Sequence, residues 1–364
     1  MARSGSFAPI AAGQERDGRR AAAPRVSVIV PVYNGAATIS GTLRSVLAQT
    51  FGDFEVLVVD DGSTDGSGAI AQALAADLGD DRLRVLHQAN GGQAIARNHG
   101  MAAARGEFFA FIDADDWWTP DKLAAQVAAL DAHPAAALAY SWTVLVNGDR
   151  QPLGGRVEAP FSGAVHGPLL VTDFISSGSN PLVRRGAIAR VGGFDPALIP
   201  SEDWDLWLRI AAAFDLICVP HPHILYRQRP ASSSDDVWRQ ERVSRTILNR
   251  ELGREPGRDR LRPHRRLIFA NRYKYLLFKA LDAPPTPRRG WTALRFLGII
   301  LWGDRGLLRQ GHKILLLLLR IALTALLPSP LARAAIAIAP PLTRIHTFPL
   351  NHTKIPRLHP PPTP

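Results

Sequence analysis

The chain has 364 residues, 46% of them hydrophobic, which is enough for one large domain with an appendage or for two domains. A single cysteine, Cys218, excludes an internal disulfide and a cysteine-based metal site. The net charge of +11 is uneven, because residues 1–240 carry 20 Lys and Arg against 26 Asp and Glu, whereas residues 241–364 carry 23 against 6. Charge alone does not choose between nucleic acid, anionic lipid and water as the surroundings of this basic tail.

Both ends of the chain have the composition of disordered segments. Residues 1–24 are rich in Arg, Ala and Gly and lack the apolar core of a signal peptide, so we predict a disordered leader and a cytoplasmic protein. Residues 340–364 are rich in proline and are also predicted to be disordered.

Strand-like and helix-like segments alternate after the leader. Four β-rich runs, at residues 26–32, 54–59, 83–87 and 108–112, are separated by segments of helical spacing that end near residues 50, 78 and 104. This alternation predicts an α/β fold with a mostly parallel sheet covered by helices. Ligands of such sheets gather at the carboxyl ends of the strands, and two acidic clusters of the chain stand at such ends.

The second cluster contains Asp113, Asp115 and Asp116, three carboxylates within four positions. Carboxylates this close repel each other unless a cation lies among them, and oxygen-rich clusters suit Mg²⁺ or Mn²⁺. The alternative is a solvated turn that caps a helix predicted to begin near Pro120. The residues alone leave both interpretations open.

The pattern changes twice in the second half of the chain. It loosens from residue 141 to about 200, and a helical segment follows at residues 202–214. After Pro230 the segments become Arg-rich and helical, with a proline linker at residues 284–287, which indicates a separate C-terminal unit.

The C-terminal unit contains two apolar stretches that are too short to cross a bilayer. Residues 314–327 fall short of the ~20 residues that a spanning helix needs, and charged residues separate them from residues 291–302. Apolar helices flanked by Arg, Lys and Trp predict a location in the membrane interface. A helical hairpin packed on the domain or on a second subunit is the alternative.

Six motifs stand in order over about residues 25–230, close to two thirds of the chain. They are VSVIVPVYN at 26–34, VDDGSTD at 59–65, NGGQAIARN at 90–98, GEFFAFIDADD at 106–116, GGFD at 192–195 and SEDWDLWL at 201–208. Together they resemble the family 2 glycosyltransferases, inverting enzymes that use nucleotide-diphosphate sugars. The resemblance implies a GT-A (Rossmann-like) domain at residues 25–230, followed by a basic helical region at 231–339.

The resemblance also implies a nucleotide site after the first two strands. Asp61 would accept a hydrogen bond from the base, and Asp60 would support its loop. Pro31 and Tyr33 would line the base pocket, and Gly92 would let the backbone close over the nucleotide. The alternative role for Asp61 is to cap the turn that follows it.

The acidic motif at residues 113–116 matches the family's metal motif. The resemblance implies that Asp115 holds a Mn²⁺ or Mg²⁺ ion that bridges both phosphates, and that Asp113 faces the ribose or the donor sugar. Such an ion would stabilise the charge on the departing diphosphate. Arg97 would either meet a phosphate or pair with a carboxylate, and the residues leave this open.

Asp203 matches the family's catalytic base. It would take the proton of an acceptor hydroxyl as that oxygen attacks the anomeric carbon, and a single displacement inverts the configuration. Ser201, Glu202 and Asp203 are also typical of a helix start. The two tryptophans of the same motif could stack on a sugar, but their helical spacing is more typical of core positions. Glu202 and Arg229 are candidates for acceptor or phosphate contacts, although many relatives carry a His at the position of Arg229.

We therefore predict a metal-dependent glycosyltransferase, attached peripherally to the inner face of the cell membrane, that acts in cell-surface polysaccharide or glycolipid synthesis. Its expected partners are a nucleotide-diphosphate sugar, with a UDP-sugar as the first expectation, a lipid-linked or saccharide acceptor, and an anionic membrane surface. The Arg-rich tail lacks the aromatic–basic pattern of a nucleic-acid module, so no nucleic-acid partner is predicted. The alternative is a non-catalytic sugar-nucleotide-binding or scaffolding protein.

Overall fold

The computed structural model describes residues 23–228, 236–253 and 262–338. The leader predicted at residues 1–24, apart from its last two residues, lies outside this part of the chain, and so does the Pro-rich tail predicted at residues 340–364. The predicted contact residue Arg229 also lies outside the described residues.

The first half of the domain is a parallel sheet of four strands. The strands are β1 (Val26–Val32), β2 (Phe54–Asp60), β3 (Leu83–His87) and β4 (Phe108–Phe111), and the helices between them are α1 (Ile39–Leu47), α2 (Ser67–Leu78) and α3 (Gln93–Ala103). The strand order is β3-β2-β1-β4, and all three pairs are parallel. Every residue of β1, β2 and β4 is buried, as expected for strands covered on both faces.

The second half extends this sheet with strands of both directions. These are β5 (Trp117–Trp118), β6 (Ala136–Val146), β7 (Pro152–Val157), β8 (Leu182–Arg184) and β9 (Asp215–Arg227), with helices α4 (Lys122–Ala132), α5 (His166–Val171), α6 (Arg185–Val191) and α7 (Glu202–Ala211). The sheet continues from β4 through β8, β6 and β9 to β5, and β7 pairs with β6. β8 is antiparallel to both β4 and β6, whereas β6 and β9 are parallel. The predicted α/β fold is confirmed, and the antiparallel pairs come from the stretch whose pattern loosens in the sequence.

Among the described residues, five α-helices follow the sheet. They are α8 (Val237–Glu251), α9 (Arg265–Asp282), α10 (Pro287–Gly303), α11 (Gly311–Leu326) and α12 (Ser329–Ile338). Val243, Ile247 and Leu248 of α8 and Ile268 of α9 belong to the same buried cluster as Trp204 and Trp207 of α7. α8 and the start of α9 therefore cover part of the domain core, and the boundary at residue 230 stays a prediction.

The later part of the helical region has a core of its own. The residues of α9, α10 and α11 that form it include Tyr273, Leu277, Phe296, Leu317 and Ile321. No helix among the described residues is both long and apolar enough to span a bilayer.

Candidate active site

The two acidic clusters meet at one edge of the sheet because their strands are parallel and in register. Val32 at the end of β1 pairs with Asp60 at the end of β2, and Ile29 pairs with Phe111 at the end of β4. The loops that follow β1, β2 and β4 therefore emerge side by side. The predicted site residues Tyr33, Asp61 and Asp113 lie in these loops.

Asp61 forms hydrogen bonds that hold the loop at Gly91 and Gly92, which precedes α3. Its Oδ1 accepts hydrogen bonds from Gln88 Nε2 at 2.7 Å and from the Gly91 N–H at 2.8 Å, and its Oδ2 accepts from the Gly92 N–H at 2.8 Å. Gly92 has a φ of +89°, a backbone conformation that favours glycine. Asp61 therefore holds this loop, and the turn that follows it is held by other residues.

That turn is held by Asp60 and by contacts from the loop after β1. Asp60 Oδ1 accepts from the Ser63 N–H at 2.9 Å, and Asn34 Oδ1 accepts from the Thr64 N–H at 2.9 Å. Pro31 is buried within β1, whereas Tyr33 is 55% exposed just beyond it. The loops after β1 and β2 are thus joined, with the Tyr33 ring open to solvent beside them.

Asp116 has a structural role that separates it from its neighbours in the acidic motif. It is 1% exposed, and its carboxyl group accepts from Ser179 Oγ at 2.6 Å and from the Arg227 N–H at 3.0 Å. Burial, together with repulsion from Asp115 and Asp113, raises the pKa of Asp116 well above its usual range. This residue is buried and ties the motif to β9, so it does not form the solvated, helix-capping turn of the alternative interpretation.

Asp113 keeps one carboxylate oxygen available. Both hydrogen bonds to its side chain from the described residues, from Gln93 Nε2 at 2.6 Å and Arg97 Nη2 at 2.7 Å, go to Oδ1. Its side chain is 23% exposed, and Asp115 is also partly exposed. The two remaining acids of the motif can thus still reach a ligand.

In the part of the chain that the structure describes, no group of three or more His, Cys, Asp or Glu side chains is arranged to hold a metal ion. Asp113 and Asp115 are nevertheless donors that Mg²⁺ or Mn²⁺ accepts when substrate phosphates and water complete the shell. The residues therefore fit an ion that enters together with a phosphate ligand, and not a cage built by the protein alone.

Arg97 joins the acidic loop to the start of α7. Its Nη2 donates to Asp113 at 2.7 Å, and its Nη1 donates to Glu202 Oε1 at 3.0 Å. The residue is 2% exposed, and its guanidinium lies 5.1 Å from the centre of the Phe194 ring. Burial lowers the pKa of Arg97, but attraction from Asp113, Glu202 and Asp203 outweighs it, so the pKa is raised and Arg97 is charged. Two roles were predicted for Arg97, contact with a phosphate or pairing with a carboxylate. In this structure Arg97 pairs with carboxylates.

Glu202 and Asp203 occupy the first turn of α7. Burial, opposed in part by Arg97, raises the pKa of Glu202 to about 7. Burial also raises the pKa of Asp203, and attraction from Arg97 again opposes it. Asp203 is only partly buried, unlike Glu202. The predicted base is therefore the member of this pair that a ligand can approach.

The two tryptophans of α7 belong to the core. Trp204 is 2% exposed and donates through Nε1 to the Leu169 carbonyl at 3.1 Å, and Trp207 packs against Phe111 and Phe194. Their helical spacing indicated a core position, and the structure confirms it.

Two charged residues near Asp203 were missed in the sequence. Asp173 lies between α5 and β8, and burial followed by repulsion from Asp203 raises its pKa to about 6. Arg272 of α9 attracts both Asp173 and Asp203. Asp173 stands alone in the loose stretch, and Arg272 is one of many arginines in the tail, so neither carried a sequence signal.

The sequence model of Glycosyl transferase family 2 matches residues 27–191. The putative teichuronic acid biosynthesis glycosyltransferase TuaG of Bacillus subtilis is 38% identical over 140 residues, which cover 38% of this chain and 54% of TuaG. An uncharacterized glycosyltransferase of Rickettsia felis is 32% identical over 196 residues, covering 51% and 31%. The uncharacterized glycosyltransferase alr2836 of Nostoc sp. is 48% identical over 99 residues, covering 27% and 30%. The chain thus spans roughly a third to a half of the length of these relatives.

Two solved structures share the fold. The mannosyltransferase PcManGT from Pyrobaculum calidifontis, in complex with GDP-Man and Mn²⁺, is 21% identical with a TM-score of 0.55, over 90% of this chain and 85% of that one. TarS 1-349 of S. aureus, in complex with UDP-GlcNAc, is 19% identical with a TM-score of 0.50, over 79% and 92%. At these identities the similarity concerns the fold alone.

Proposed function

We propose, from the match of residues 27–191 to the model of Glycosyl transferase family 2, that the chain transfers a sugar from a nucleotide-diphosphate donor to a hydroxyl acceptor with inversion. One observation carries the proposal. Arg97 bonds both Asp113 of the acidic loop and Glu202 beside Asp203. A donor bound at the acidic loop and an acceptor bound at Asp203 would thus both lie beside the same buried residue, Arg97.

The donor side is proposed at the loops after β1, β2 and β4. The Asp61-fastened loop brings the Gly91 and Gly92 backbone close to the end of β2, and the exposed Tyr33 ring is available to stack on a base. PcManGT and TarS were solved with GDP-Man and UDP-GlcNAc, which are both nucleotide-diphosphate sugars. We take a UDP-sugar as the first donor to test.

Asp115 would hold a divalent cation on the donor phosphates, and Asp113 would face the ribose or the donor sugar. When bound there, Mn²⁺ or Mg²⁺ supplies positive charge against the negative charge that builds on the departing diphosphate. The cluster has too few donors for a site independent of nucleotide in the part of the chain described. The proposal therefore requires the cation and the nucleotide to bind together.

Asp203 acts as the base in the proposed displacement. Its carboxylate takes the acceptor hydroxyl proton while that oxygen forms a bond to the anomeric carbon, and the bond from this carbon to the diphosphate breaks with its electron pair on the diphosphate. A raised pKa makes Asp203 a stronger base than an exposed aspartate. Glu202 forms an ion pair with Arg97 and thereby supports this site.

The C-terminal helices support a proposed location at the inner face of the cell membrane. The buried face of α11 is mainly apolar, with Arg320 and Thr324 among its residues, and its exposed face is rich in leucine as well. The exposed leucines, which recur at helical spacing, are Leu315, Leu318, Leu319 and Leu326. A helix whose outer face remains rich in leucine after its inner face has packed on the protein matches a bilayer surface better than water.

Neighbouring residues extend this surface and give it positive charge. Trp291 and Trp302 of α10 and Leu331 and Ile338 of α12 are exposed as well. Four exposed or partly exposed cationic residues lie in and around α11: Arg305 and Arg309 precede it, Lys313 is in its first turn, and Arg333 follows it. Such a surface would suit anionic lipid and would bring Asp203 to a lipid-linked acceptor of cell-envelope polysaccharide synthesis. The relative TuaG is named for teichuronic acid biosynthesis.

Thermal unfolding with nucleotides tests the donor site. UDP, GDP, dTDP and CMP are each added with and without Mn²⁺ to the full chain, to Asp115→Ala and to Asp149→Ala, which changes an exposed acid in the turn after β6. The proposal predicts that one nucleotide raises Tm only with Mn²⁺, in the native chain and in Asp149→Ala but not in Asp115→Ala. If no nucleotide raises Tm, or if Asp115→Ala responds like the native chain, the proposed donor site is wrong.

A further inference from the structure

The first turn of α7 is held by arginines from two distant parts of the chain. Arg97 of α3 bonds Glu202 on one side. On the other side, Arg272 of α9 reaches the same turn from the C-terminal helices. The second contact is unexpected for a tail that reads as a separate unit in the sequence.

Arg272 touches residues on both sides of the Glu202–Asp203 pair. Its Nη2 donates to Ser201 Oγ at 3.1 Å, and its guanidinium lies 4.5 Å from the centre of the Trp204 ring. Ser201 immediately precedes the pair and Trp204 immediately follows it. A single planar group therefore fixes both ends of the segment that carries Asp203.

The guanidinium is itself fixed by α8. Its Nη2 also donates to Gln240 Oε1 at 3.0 Å, and its Nε donates to Ser244 Oγ at 2.7 Å. The guanidinium also lies 4.6 Å from the centre of the Tyr275 ring, so it makes three hydrogen bonds and two ring contacts. These directed contacts match the rigid fork of an arginine and not the point charge of a lysine. The geometry thus specifies an arginine at this position.

We propose that Arg272 is a positioning residue that holds the Glu202–Asp203 segment in place and couples the C-terminal helices to the acceptor side of the site. This inference rests on the proposed function for the role of Asp203. The positive charge of Arg272 also favours the ionised form of Asp203 and of Asp173, so its loss would change how these acids titrate.

The coupling follows from the packing of α9. Tyr273 and Leu277, on the same helix as Arg272, belong to one buried cluster with Phe296 of α10 and Leu317 of α11. A movement of α10 and α11, such as docking on a surface, would therefore be transmitted through α9 to the start of α7.

The first test is a ¹³C NMR titration of the side-chain carboxyl groups of aspartate-labelled full chain, with Asp203 assigned from the signal lost in Asp203→Asn. In Arg272→Gln the titration midpoint of Asp203 should rise, because a nearby positive charge that favours the carboxylate is gone. The control is Arg266→Gln, an exposed arginine of the same helix that contacts Trp302 and lies away from α7. It should leave the midpoint unchanged.

The second test is hydrogen exchange of the amides at residues 201–205. Arg272→Lys keeps the charge but loses the forked contacts, so exchange should be several-fold faster than in Arg266→Gln, while the Asp203 midpoint stays near that of the native chain. An unchanged midpoint in Arg272→Gln, or native exchange in Arg272→Lys, would overturn the inference. Both readouts need no acceptor or donor, so they remain decisive if sugar transfer itself is never observed.

Discussion

Arg97 Nη2 lies 2.7 Å from Asp113 Oδ1, and this buried ion pair joins the acidic loop after β4 to the network that ends at the first turn of α7. A guanidinium that is 2% exposed would be costly without partners, and here Asp113 and Glu202 supply them. The pair therefore determines both the stability of the site and its geometry.

Removal of the Arg97 charge should destabilise the fold strongly. Arg97→Gln leaves two carboxylates without their partner, and breaking a buried pair in this way costs about 3–5 kcal/mol. The matched control is Arg156→Gln, whose ion pair with Glu158 is solvent-exposed and should contribute about 0–1 kcal/mol. Urea unfolding of both variants measures the difference. Equal losses in the two variants would show that the buried network does not stabilise the domain.

The stability of the protein should fall as pH rises through the range in which Glu202 titrates. Burial raises the pKa of Glu202 from its ordinary 4.5 to about 7 in the folded state. The folded protein therefore binds more protons than the unfolded chain between these values, so the stabilisation is full below about pH 4.5 and is lost by about pH 7.

Glu202→Gln should remove this dependence. We expect the free energy of unfolding of the native chain to drop by ~1–3 kcal/mol more than that of the variant between pH 5 and pH 7. Urea unfolding at half-unit pH intervals measures both curves. Parallel curves would mean that Glu202 does not titrate in this range.

The exposed leucines of α11 should carry membrane binding. The full-length protein is floated with two kinds of vesicle, one of phosphatidylcholine alone and one that also contains about 30% phosphatidylglycerol, which makes the surface anionic. The native chain should float with the anionic vesicles, and less of it should float at high salt. The double variant Leu318→Ser/Leu319→Ser should bind at least about tenfold more weakly, because each leucine buried in the bilayer contributes about 1.5–3 kcal/mol.

Leu153→Ser is the control for this experiment, since Leu153 is an equally exposed leucine on β7. It should float like the native chain. Sedimentation of the lipid-free protein addresses the alternative, in which the leucines pack on protein. A native dimer that becomes a monomer only in the Leu318→Ser/Leu319→Ser variant, with no difference in flotation, would favour the protein interface.

The sequence predicted those features that depend on local pattern. The strand–helix alternation predicted the parallel sheet, and the spacing of Trp204 and Trp207 indicated core positions, because periodicity follows directly from burial on one face. The acidic motif predicted a ligand site at the edge of the sheet, but it did not predict that its three aspartates have different environments. Asp116 became buried through Ser179 and Arg227, which are 63 and 111 residues away.

Long-range contacts explain what the sequence did not predict. Arg272 and Ser201 are 71 residues apart, and the packing of α8 into the domain core joins segments across a change in composition. A change from acidic to Arg-rich sequence indicated a boundary at residue 230. Composition reports which faces meet solvent, and it does not report which apolar faces pack together.

The most direct test of the account is the stereochemistry and Asp203 dependence of donor turnover. The UDP-, GDP- or dTDP-sugar whose nucleotide raises Tm is incubated with the protein and Mn²⁺, and early ¹H NMR spectra identify the anomer of the sugar released to water. The account predicts the inverted anomer, and a rate that falls about 10²–10⁴-fold in Asp203→Asn with unchanged nucleotide binding. Release with retained configuration, or an unchanged rate in Asp203→Asn, would contradict it.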